Sequence, residues 1–487
     1  MTANLSNLEP KNVWQYFYQI TQIPRPSKHE EKILDYLKEF AKLKNLEFIE
    51  DDVKNIVIKI PATKGKENAP AIVLQSHVDM VCEKNKGTEH DFFNDPLELE
   101  IEGEWIKAKG TTLGADNGIG MAAALAIADE DFEHGPIELL FTVDEETGLT
   151  GASNLDKNML RGKYMINLDT EEDGIFYIGC AGGMDTVGVF DIQTEPVNGE
   201  DVETYTLYVG GLKGGHSGME ISERRGNAIK ILGFLLDKLQ NFEIKISSIA
   251  GGSKRNAIPR EAEANILIKK ERLNDVNKTI SGYLAEVKNE IGTNASDLVI
   301  KLDKSNEKNL TAFTNEFASR VINAIIALPH GVVEMSEKIG GLVETSTNLA
   351  TVVIENNKLR IGTSQRSSVE SAKKRIGRTV KSVFDLAGAS VEVVDGYPAW
   401  QPNFDSELLR IASEVYEKSH NEKPEIKVVH AGLECGIIGE KYPGLDMISV
   451  GPTITGAHSP DEKLKINDVP KFYDLVKKII TEIASRG

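Results

Sequence analysis

The sequence predicts an α/β protein, because short apolar runs of strand length alternate with segments of helical periodicity. Several of these runs end in histidine, aspartate or glutamate. In open α/β sheets, ligands bind at the carboxyl ends of the strands. We therefore expect polar residues that are distant in the chain to meet at one edge of a sheet.

Length and composition limit the class of protein. At about 150 residues per domain, the 487 residues suggest two to four domains. Hydrophobic residues make up 40% and charged residues 27%, as in ordinary soluble proteins. The net charge of −19 argues against nucleic acid and anionic membranes as partners, since both attract basic surfaces. No secretory signal pattern is seen at the start, so we expect a cytoplasmic protein.

The amino-terminal part predicts helices followed by two strands. Residues 9–45 have helical periodicity, interrupted by a Pro-Arg-Pro-Ser sequence whose Ser27 is a candidate N-cap for the second helix. The apolar runs 55–60 and 71–74 predict strands, separated by a charged, turn-like segment.

The run 71–74 leads directly to His77 and Asp79. In an extended segment these two side chains lie on the same face. A histidine that binds a metal usually donates its other N–H to a carboxylate or carbonyl, which fixes its tautomer. The alternative is a strand end with two solvated polar residues.

A glycine-rich segment at 110–120 surrounds one acid, Asp116, and precedes an alanine-rich helix at 121–128. It contains neither GxGxxG nor GK[ST], so a phosphate loop is weakly supported. A carboxylate at a helix N-terminus is favoured by the helix dipole. Such a carboxylate is a candidate bridge between two cations.

Three further apolar runs, 137–143, 164–168 and 447–450, lead to acids or histidine. Carboxylates at the end of an apolar strand are costly unless a positive charge is present. For each motif alone, an acidic turn facing water is the alternative. The polar residues that follow these runs are Glu145 and Glu146, Asp169, and His458.

Together these strand ends supply two histidines and several carboxylates. Such a set binds zinc or a similar divalent ion, and one carboxylate can bridge a pair of ions about 3.5–4 Å apart. The cysteines are not part of it, because Cys82, Cys180 and Cys435 lack CxxC spacing.

The motifs SHVDMV, GADNGIG, DEETG, NLDTEE and AHSPDE, in this order, resemble the co-catalytic zinc peptidase family of carnosinases, aminoacylases and glutamate carboxypeptidases. The resemblance spans nearly the whole chain. The sequences GCAGGMD, KGGHSG and HAGLECG narrow it to the aminoacyl-histidine (Xaa-His) dipeptidases. It implies a mixed central sheet flanked by helices, and two ions, zinc first, with cobalt or manganese as alternatives.

The resemblance also implies a role for each strand-end residue. Glu145 would be the general base that takes a proton from the metal-bound water, and Asp79 would orient a ligand. The turn after Asp116 resembles one that contains a cis peptide in relatives. The implied ligands are His77 and Asp169 for one ion, Glu146 and His458 for the other, and Asp116 for both.

His458 lies more than 280 residues after the other implied ligands. The catalytic domain is therefore predicted to be discontinuous, at 1–186 and 396–487. A lid domain at 187–395 would be inserted in it. By resemblance, His216 in this lid stabilises the oxyanion of the scissile carbonyl group. It would act within one subunit or across a homodimer. The alternative for His216 is an exposed turn.

The lid is predicted to consist of two similar halves. Residues 251–268 and 340–354 both read Gly-Gly, a polar turn, Asn and a strand. A chance echo is an equal alternative, since repeats are normally recognised from three or more copies.

Four residues are candidates for substrate binding. Arg366 would bind a C-terminal carboxylate with its guanidinium fork, and Glu434 would meet a free α-amine. Asn256 and Gly432 would contact the substrate. The alternatives are a surface salt bridge for Arg366, a turn amide for Asn256 and a helix cap for Glu434.

The resulting expectation is a metallo-dipeptidase for dipeptides with a free N-terminus, especially carnosine-like Xaa-His substrates. The same residues would also suit a broader dipeptidase or tripeptidase, or an N-acyl amino acid deacylase. A non-catalytic, metal-stabilised binding protein is the alternative from another class. Glu145 beside Glu146 argues against it, because a structural site needs the ligand and not the base.

Overall fold

The computed structural model describes residues 5–197, 201–305 and 311–486. No helix within these ranges combines the length and apolar character needed to cross a membrane. The α-helices are α1 (Lys11–Thr21), α2 (Glu31–Leu43), α3 (Ala115–Ala128), α4 (Glu145–Gly148), α5 (Thr150–Asn154), α6 (Ala228–Gln240), α7 (Leu273–Ile291), α8 (Asn315–Ala327), α9 (Glu370–Leu386), α10 (Glu407–His420), α11 (Glu434–Lys441) and α12 (Val469–Ser485).

The strands alternate with these helices, as the α/β prediction requires. They are β1 (Glu47–Glu50), β2 (Ile56–Ile60), β3 (Ile72–His77), β4 (Leu99–Glu102), β5 (Trp105–Ala108), β6 (Ile137–Thr142), β7 (Tyr164–Asn167), β8 (Ile175–Cys180), β9 (Gly182–Asp191), β10 (Thr194–Pro196), β11 (Val202–Gly210), β12 (Lys245–Gly251), β13 (Ala262–Lys269), β14 (Val299–Lys304), β15 (Thr311–Phe313), β16 (Gly331–Met335), β17 (Val343–Glu355), β18 (Lys358–Ser367), β19 (Ser390–Tyr397), β20 (Glu425–Val429), β21 (Asp446–Ser449), β22 (Ile454–Thr455) and β23 (Lys463–Lys465).

The chain forms two compact units. Unit 1 contains residues 1–180, 402–428 and 433–487, and unit 2 contains residues 181–401 and 429–432. Strands β9 and β19 pair with each other inside unit 2. The sequence-based boundaries at 186 and 396 would cut through both strands, so the structural units are bounded outside this pair. Residues 1–4 and 487 of the predicted catalytic domain lie outside the described residues.

Unit 1 is built on a mixed eight-stranded sheet in the order β1-β2-β6-β3-β7-β21-β8-β20. Its centre is parallel, with β6, β3, β7 and β21 side by side. Every residue of β3, β6 and β7 is buried. This burial explains why these strands read as continuous apolar runs rather than alternating patterns. The predicted mixed α/β sheet is confirmed.

Two details of unit 1 near the sheet differ from or extend the sequence analysis. Glu30, not Ser27, precedes the first turn of α2. The Ser27 hydroxyl instead donates to Asp79 Oδ2 at 2.7 Å, because a buried carboxylate competes for it. The alanine-rich α3 is buried along its length and packs against α1 and β3, since small side chains permit close approach.

Unit 2 contains a nine-stranded sheet whose main path is β14-β11-β13-β12-β17-β18-β9-β19. One half, β11-α6-β12-β13-α7-β14, has the strand order β14-β11-β13-β12. The other half, β9-α8-β17-β18-α9-β19, has the equivalent order β19-β9-β18-β17. The halves meet where β12 pairs with β17. Unit 2 therefore has two halves of the same topology, the first inserted after β9 of the second.

The sequence echo that suggested this duplication does not align equivalent strands. Gly251 and Gly252 precede β13, whereas Gly340 and Gly341 precede β17. By position in the sheet, β17 corresponds to β12 and not to β13. The echo is thus a chance similarity, and the duplication rests on the strand order.

The packing of unit 2 predicts opposite effects for two glycines inside helices. Gly282 of α7 has open space where a Cβ would lie, so Gly282→Ala should raise the free energy of unfolding by about 0.5–1 kcal/mol. A Cβ on Gly233 of α6 would lie 2.5 Å from Ile325 Cγ2 of α8. Gly233→Ala should lower that free energy by about 1–3 kcal/mol. Urea unfolding of both variants measures the difference, and equal midpoints would contradict this packing.

Candidate metal centre

The carboxyl ends of the four parallel strands of unit 1 carry the predicted ligands. His77 is the last residue of β3, Glu145 and Glu146 follow β6, and Asp169 follows β7. His458 lies in the loop between β22 and β23, after β21. Residues that are far apart in the chain meet here because parallel strands end at one edge of the sheet.

Asp116 lies between two histidines and presents one carboxylate oxygen to each. Its Oδ1 is 3.0 Å from His77 Nε2, and its Oδ2 is 3.2 Å from His458 Nε2. His77 Nε2 is also 3.3 Å from Asp169 Oδ1, and His458 Nε2 is 3.0 Å from Glu146 Oε2. Two groups of ligand atoms, each spanning no more than 4.8 Å, therefore share Asp116.

Asp79 fixes the orientation of His77. Its Oδ1 lies 3.3 Å from His77 Nδ1 and places a negative charge beside that nitrogen. The same carboxylate accepts the backbone N–H groups of Glu145 and Glu146 at 3.0 and 3.1 Å. Although burial alone would raise it, the pKa of Asp79 is lowered to about 2 by the neighbouring His77 and by the hydrogen bonds from the Ser27 hydroxyl and the Glu145 N–H. An ionised Asp79 favours the proton on His77 Nδ1 and leaves Nε2 for an ion.

Burial and crowding of the carboxylates set the electrostatics of this centre. Burial raises the pKa of Glu145 well above its usual value, and the charges of Asp169 and Glu146 raise it further. Hydrogen bonds to Asp116 and Glu146 raise the pKa of His458 to about 11. The centre thus gathers more carboxylates than histidines, and these carboxylates favour the charged form of His458.

The residues present fit a pair of divalent ions. Among the described residues, no hydrogen-bond donor contacts Glu146 Oε1, although this atom is buried. The donor set consists of imidazole nitrogen and carboxylate oxygen without thiolate, which suits zinc and similar ions. The peptide bond between Asp116 and Asn117 is cis, as the resemblance implied.

Several supporting residues were not found from the sequence. Asn117 donates from Nδ2 to Asp169 Oδ1 at 2.5 Å and to the Leu168 carbonyl at 2.7 Å. A Cβ on Gly120 would overlap Asn117 and the Leu168 carbonyl, so this glycine of GADNGIG makes room for the asparagine. Arg25 and Glu462 contact the segment that precedes Asp116. In the sequence, Glu462 is the last residue of the AHSPDE motif, and Arg25 lies in the Pro-Arg-Pro-Ser sequence between the first two helices. Neither position indicated a contact with the segment before Asp116.

Glu434 belongs to unit 1 and is the first residue of α11, and its side chain accepts hydrogen bonds from β3 and β6. Its Oε2 accepts hydrogen bonds from Gln75 Nε2 at 2.6 Å and Thr142 Oγ1 at 2.7 Å. Its Oε1 is buried and has no hydrogen-bond partner in the described part of the chain. Burial, and then the charges of Asp169 and Asp79, raise its pKa to about 7 although His77 opposes this. Its place in the first turn of α11 agrees with the helix-terminus alternative, while its side-chain hydrogen bonds go to the strands.

The other predicted site residues belong to unit 2. His216 and Asn256 line the same cavity of about 820 Å³ within this unit. His216 Nδ1 accepts the backbone N–H groups of Gly218 and Met219 at 3.2 and 3.1 Å. Since Nδ1 is an acceptor, the neutral ring carries its proton on Nε2, which can donate to an oxyanion. Gly432 lies in the segment 429–432 of unit 2.

Arg366 is a buried arginine without a carboxylate partner among the described residues. Its Nη1 donates to the Tyr397 hydroxyl at 2.6 Å, and its Nε has no partner in the described ranges. The surface salt bridge considered for it is therefore wrong. Nearby, burial and then the charges of Arg366 and His216 lower the pKa of His430 to about 3, so His430 is neutral. A buried guanidinium that has no carboxylate partner in the described residues favours an anionic ligand.

Comparison with known proteins fits this geometry. The model of peptidase family M20/M25/M40 matches residues 73–482. The chain belongs to peptidase family M20/M25/M40. This confirms the family that the order of the motifs implied.

Two relatives of this M20/M25/M40 member resemble it over nearly their whole length. It is 42% identical over 488 residues to the cytosol non-specific dipeptidase of Escherichia coli (strain K12), covering 99% of this chain and 100% of the relative. It is also 42% identical to the crystal structure of aminoacylhistidine dipeptidase from Vibrio alginolyticus, with a TM-score of 0.88 and 98% of each chain covered. The aminopeptidase PepT of Bacillus cereus, 18% identical with a TM-score of 0.57 over 98% of this chain and 99% of its own, shares the fold.

The two ligand groups predict two bound ions, one of which depends on His458. His458→Ala should reduce the zinc retained after dialysis from two equivalents to one, because the group formed with Asp116 and Glu146 loses its imidazole ligand. His420→Ala, at the end of α10, is the matched control and should retain two. Mass spectrometry of the dialysed protein measures the zinc. Two tightly held ions in His458→Ala would contradict the proposed ligand set.

Proposed function

We propose that the protein is a two-metal dipeptidase that hydrolyses dipeptides with a free N-terminus. The observation that carries this proposal is the Asp116 carboxylate, which presents one oxygen to each of two histidine–carboxylate groups. Two-metal hydrolases use such a bridging ligand. The two relatives of similar length, a cytosol non-specific dipeptidase and an aminoacylhistidine dipeptidase, support the substrate class. Zinc is the proposed metal, and the cytoplasm is the proposed location.

In this proposal the residues of unit 1 carry the proton transfers. When bound, the two ions would polarise the scissile carbonyl group and lower the pKa of a water molecule. Glu145 would take a proton from the attacking water and deliver it to the leaving amine. The Asp79 carboxylate accepts the backbone N–H of Glu145 and also orients His77. One side chain therefore positions both the proposed base and a metal ligand.

The residues of unit 2 would stabilise charge on the substrate. His216 would donate its Nε2–H to the oxyanion, from the same subunit or from a partner subunit in a homodimer. Arg366 would bind the C-terminal carboxylate, supported by its buried and uncompensated charge. Asn256 and Gly432 would contact the substrate backbone, and Glu434 of unit 1 would meet the α-amine.

Specificity for histidine at the second position is the finer part of the proposal. The names of the two relatives differ on this point, since one is called non-specific and the other aminoacylhistidine dipeptidase. A broader dipeptidase or tripeptidase, or an N-acyl amino acid deacylase, would use the same metal ligands. A deacylase would have no substrate amine for Glu434 to meet. A non-catalytic binding protein would have no use for Glu145.

Glu145 and Glu146 form a matched pair of variants that separates the base from the ligand. Glu145→Gln should retain its ions but lower kcat on β-Ala-His, Gly-His and Leu-Leu by about 10²–10⁴-fold, the usual contribution of a general base. Glu146→Gln should lose metal as well as activity. Rates and zinc content are measured on the same samples, with N-acetyl-Leu to detect deacylation. A wild-type rate for Glu145→Gln would exclude the mechanism, and cleavage of N-acetyl-Leu alone would favour the deacylase.

Arg366 predicts a preference for substrates with a free carboxylate. Arg366→Met should raise KM for a dipeptide by about 10–100-fold, because hydrogen bonds to charged groups contribute about 1.5–3 kcal/mol. The KM of the corresponding dipeptide amide should change little. Arg255→Met is the control, since Arg255 is exposed and paired with Asp185. An equal loss for acid and amide substrates would show that Arg366 does not bind the carboxylate.

A further inference from the structure

Glu462 is a buried carboxylate that contacts neither histidine of the metal centre but holds the segment that ends in Asp116. Its Oε2 accepts the backbone N–H groups of Leu113 and Gly114 at 2.7 and 2.8 Å. Its Oε1 accepts those of Ala115 and Asp116 at 2.7 and 3.2 Å. Four consecutive amides thus converge on one side chain that is 2% exposed.

The same side chain belongs to the loop that carries His458. This loop lies between β22 and β23, where Thr455 pairs with Lys463. Inside it, the Glu462 N–H donates to the Ser459 carbonyl at 3.0 Å, and the Ser459 N–H donates to the Gly456 carbonyl at 3.2 Å. Glu462 therefore connects the backbone of Asp116 to a short, internally hydrogen-bonded loop that contains His458.

Arg25 completes this arrangement from the opposite side of the peptide chain. Its guanidinium is buried and donates to the carbonyls of Val78 and Asp79 at 3.0 and 2.6 Å, and to the carbonyl of Gly114. The N–H of Gly114 is bound by Glu462 and its carbonyl by Arg25. A Cβ at Gly114 or Gly118 would lie 2.6 or 2.8 Å from Arg25 Nη2. Gly114 and Gly118 of GADNGIG therefore leave room for the guanidinium.

We propose that Glu462 is a positioning residue that fixes the bridging Asp116 relative to His458 before any ion binds. This inference rests on the proposed metal centre and adds to it the group that sets the distance between two ligands of the second ion. Glu462 does not coordinate the ion; it orients the residues that do. Supporting groups of this kind typically change metal affinity by about 10–100-fold when replaced.

The test compares Glu462→Gln with Asp461→Asn, its exposed neighbour. Glutamine keeps one acceptor oxygen but points an NH₂ group at two backbone donors, so two hydrogen bonds are lost. Cobalt is titrated into the metal-free proteins, and both affinity and the visible spectrum are recorded. Glu462→Gln should bind the second cobalt ion about 10–100-fold more weakly, with an altered spectrum. Asp461→Asn should match the wild type.

Three outcomes separate this inference from the proposed function. Two cobalt ions bound by Glu462→Gln with wild-type affinity and spectrum would overturn the role of Glu462, whatever its thermal stability, and leave the metal centre intact. Fewer than two ions in the wild type would overturn both. If Glu462→Gln does not fold, the inference is tested by hydrogen exchange of the backbone amides of residues 113–116 in the metal-free wild type. Slow exchange that is unchanged by cobalt supports pre-organisation, and fast exchange that slows with cobalt contradicts it.

Discussion

Repulsion among buried carboxylates is the constraint on which this metal centre depends. Asp79, Asp116, Glu145, Glu146 and Asp169 are gathered at one edge of a sheet whose central strands are buried. Burying like charges is costly unless opposite charge is supplied. Here the carboxylates raise the pKa values of His77 and His458, which favours protons on both imidazoles, while burial, Asp116 and Glu146 raise the pKa of Asp169 to about 6 against the effect of His77. Divalent ions would replace these protons, so ion binding and proton release are coupled.

The strands beneath the centre are joined by a second polar layer. Gln75 and Asn167 lie two residues before His77 and Asp169, and hence on the same face of the sheet. Asn167 Nδ2 donates to Gln75 Oε1 at 2.5 Å, and Ser449 Oγ bonds to Asn167 Oδ1. Gln75 continues this chain of hydrogen bonds to Glu434. Neighbouring strands are thereby held in register where their ligands must meet.

The strands and their ends could be predicted from the sequence because each depends on local information. A continuous apolar run is typical of a strand that is buried on both faces. The polar residue that follows the run can be recognised without knowing which strands lie beside it. Ser27 is the opposite case, since its capping pattern is local but the buried Asp79 takes its hydroxyl. The four amides on Glu462 and the three carbonyls on Arg25 join segments far apart in the chain. These contacts follow no periodic pattern or fixed spacing of residues, so the sequence does not predict them.

The polar groups of the two units have complementary chemistry. The carboxylates of unit 1 favour bound cations. In unit 2, Arg366 carries one positive charge, and the neighbouring His430 is neutral. A single uncompensated guanidinium matches a single carboxylate, which every dipeptide has. The roles proposed for Arg366, Glu434 and His216 address the two termini and the carbonyl group, and none addresses a side chain. In these proposed roles the three groups would recognise features that every dipeptide has, and selection of histidine would require a further group that recognises imidazole.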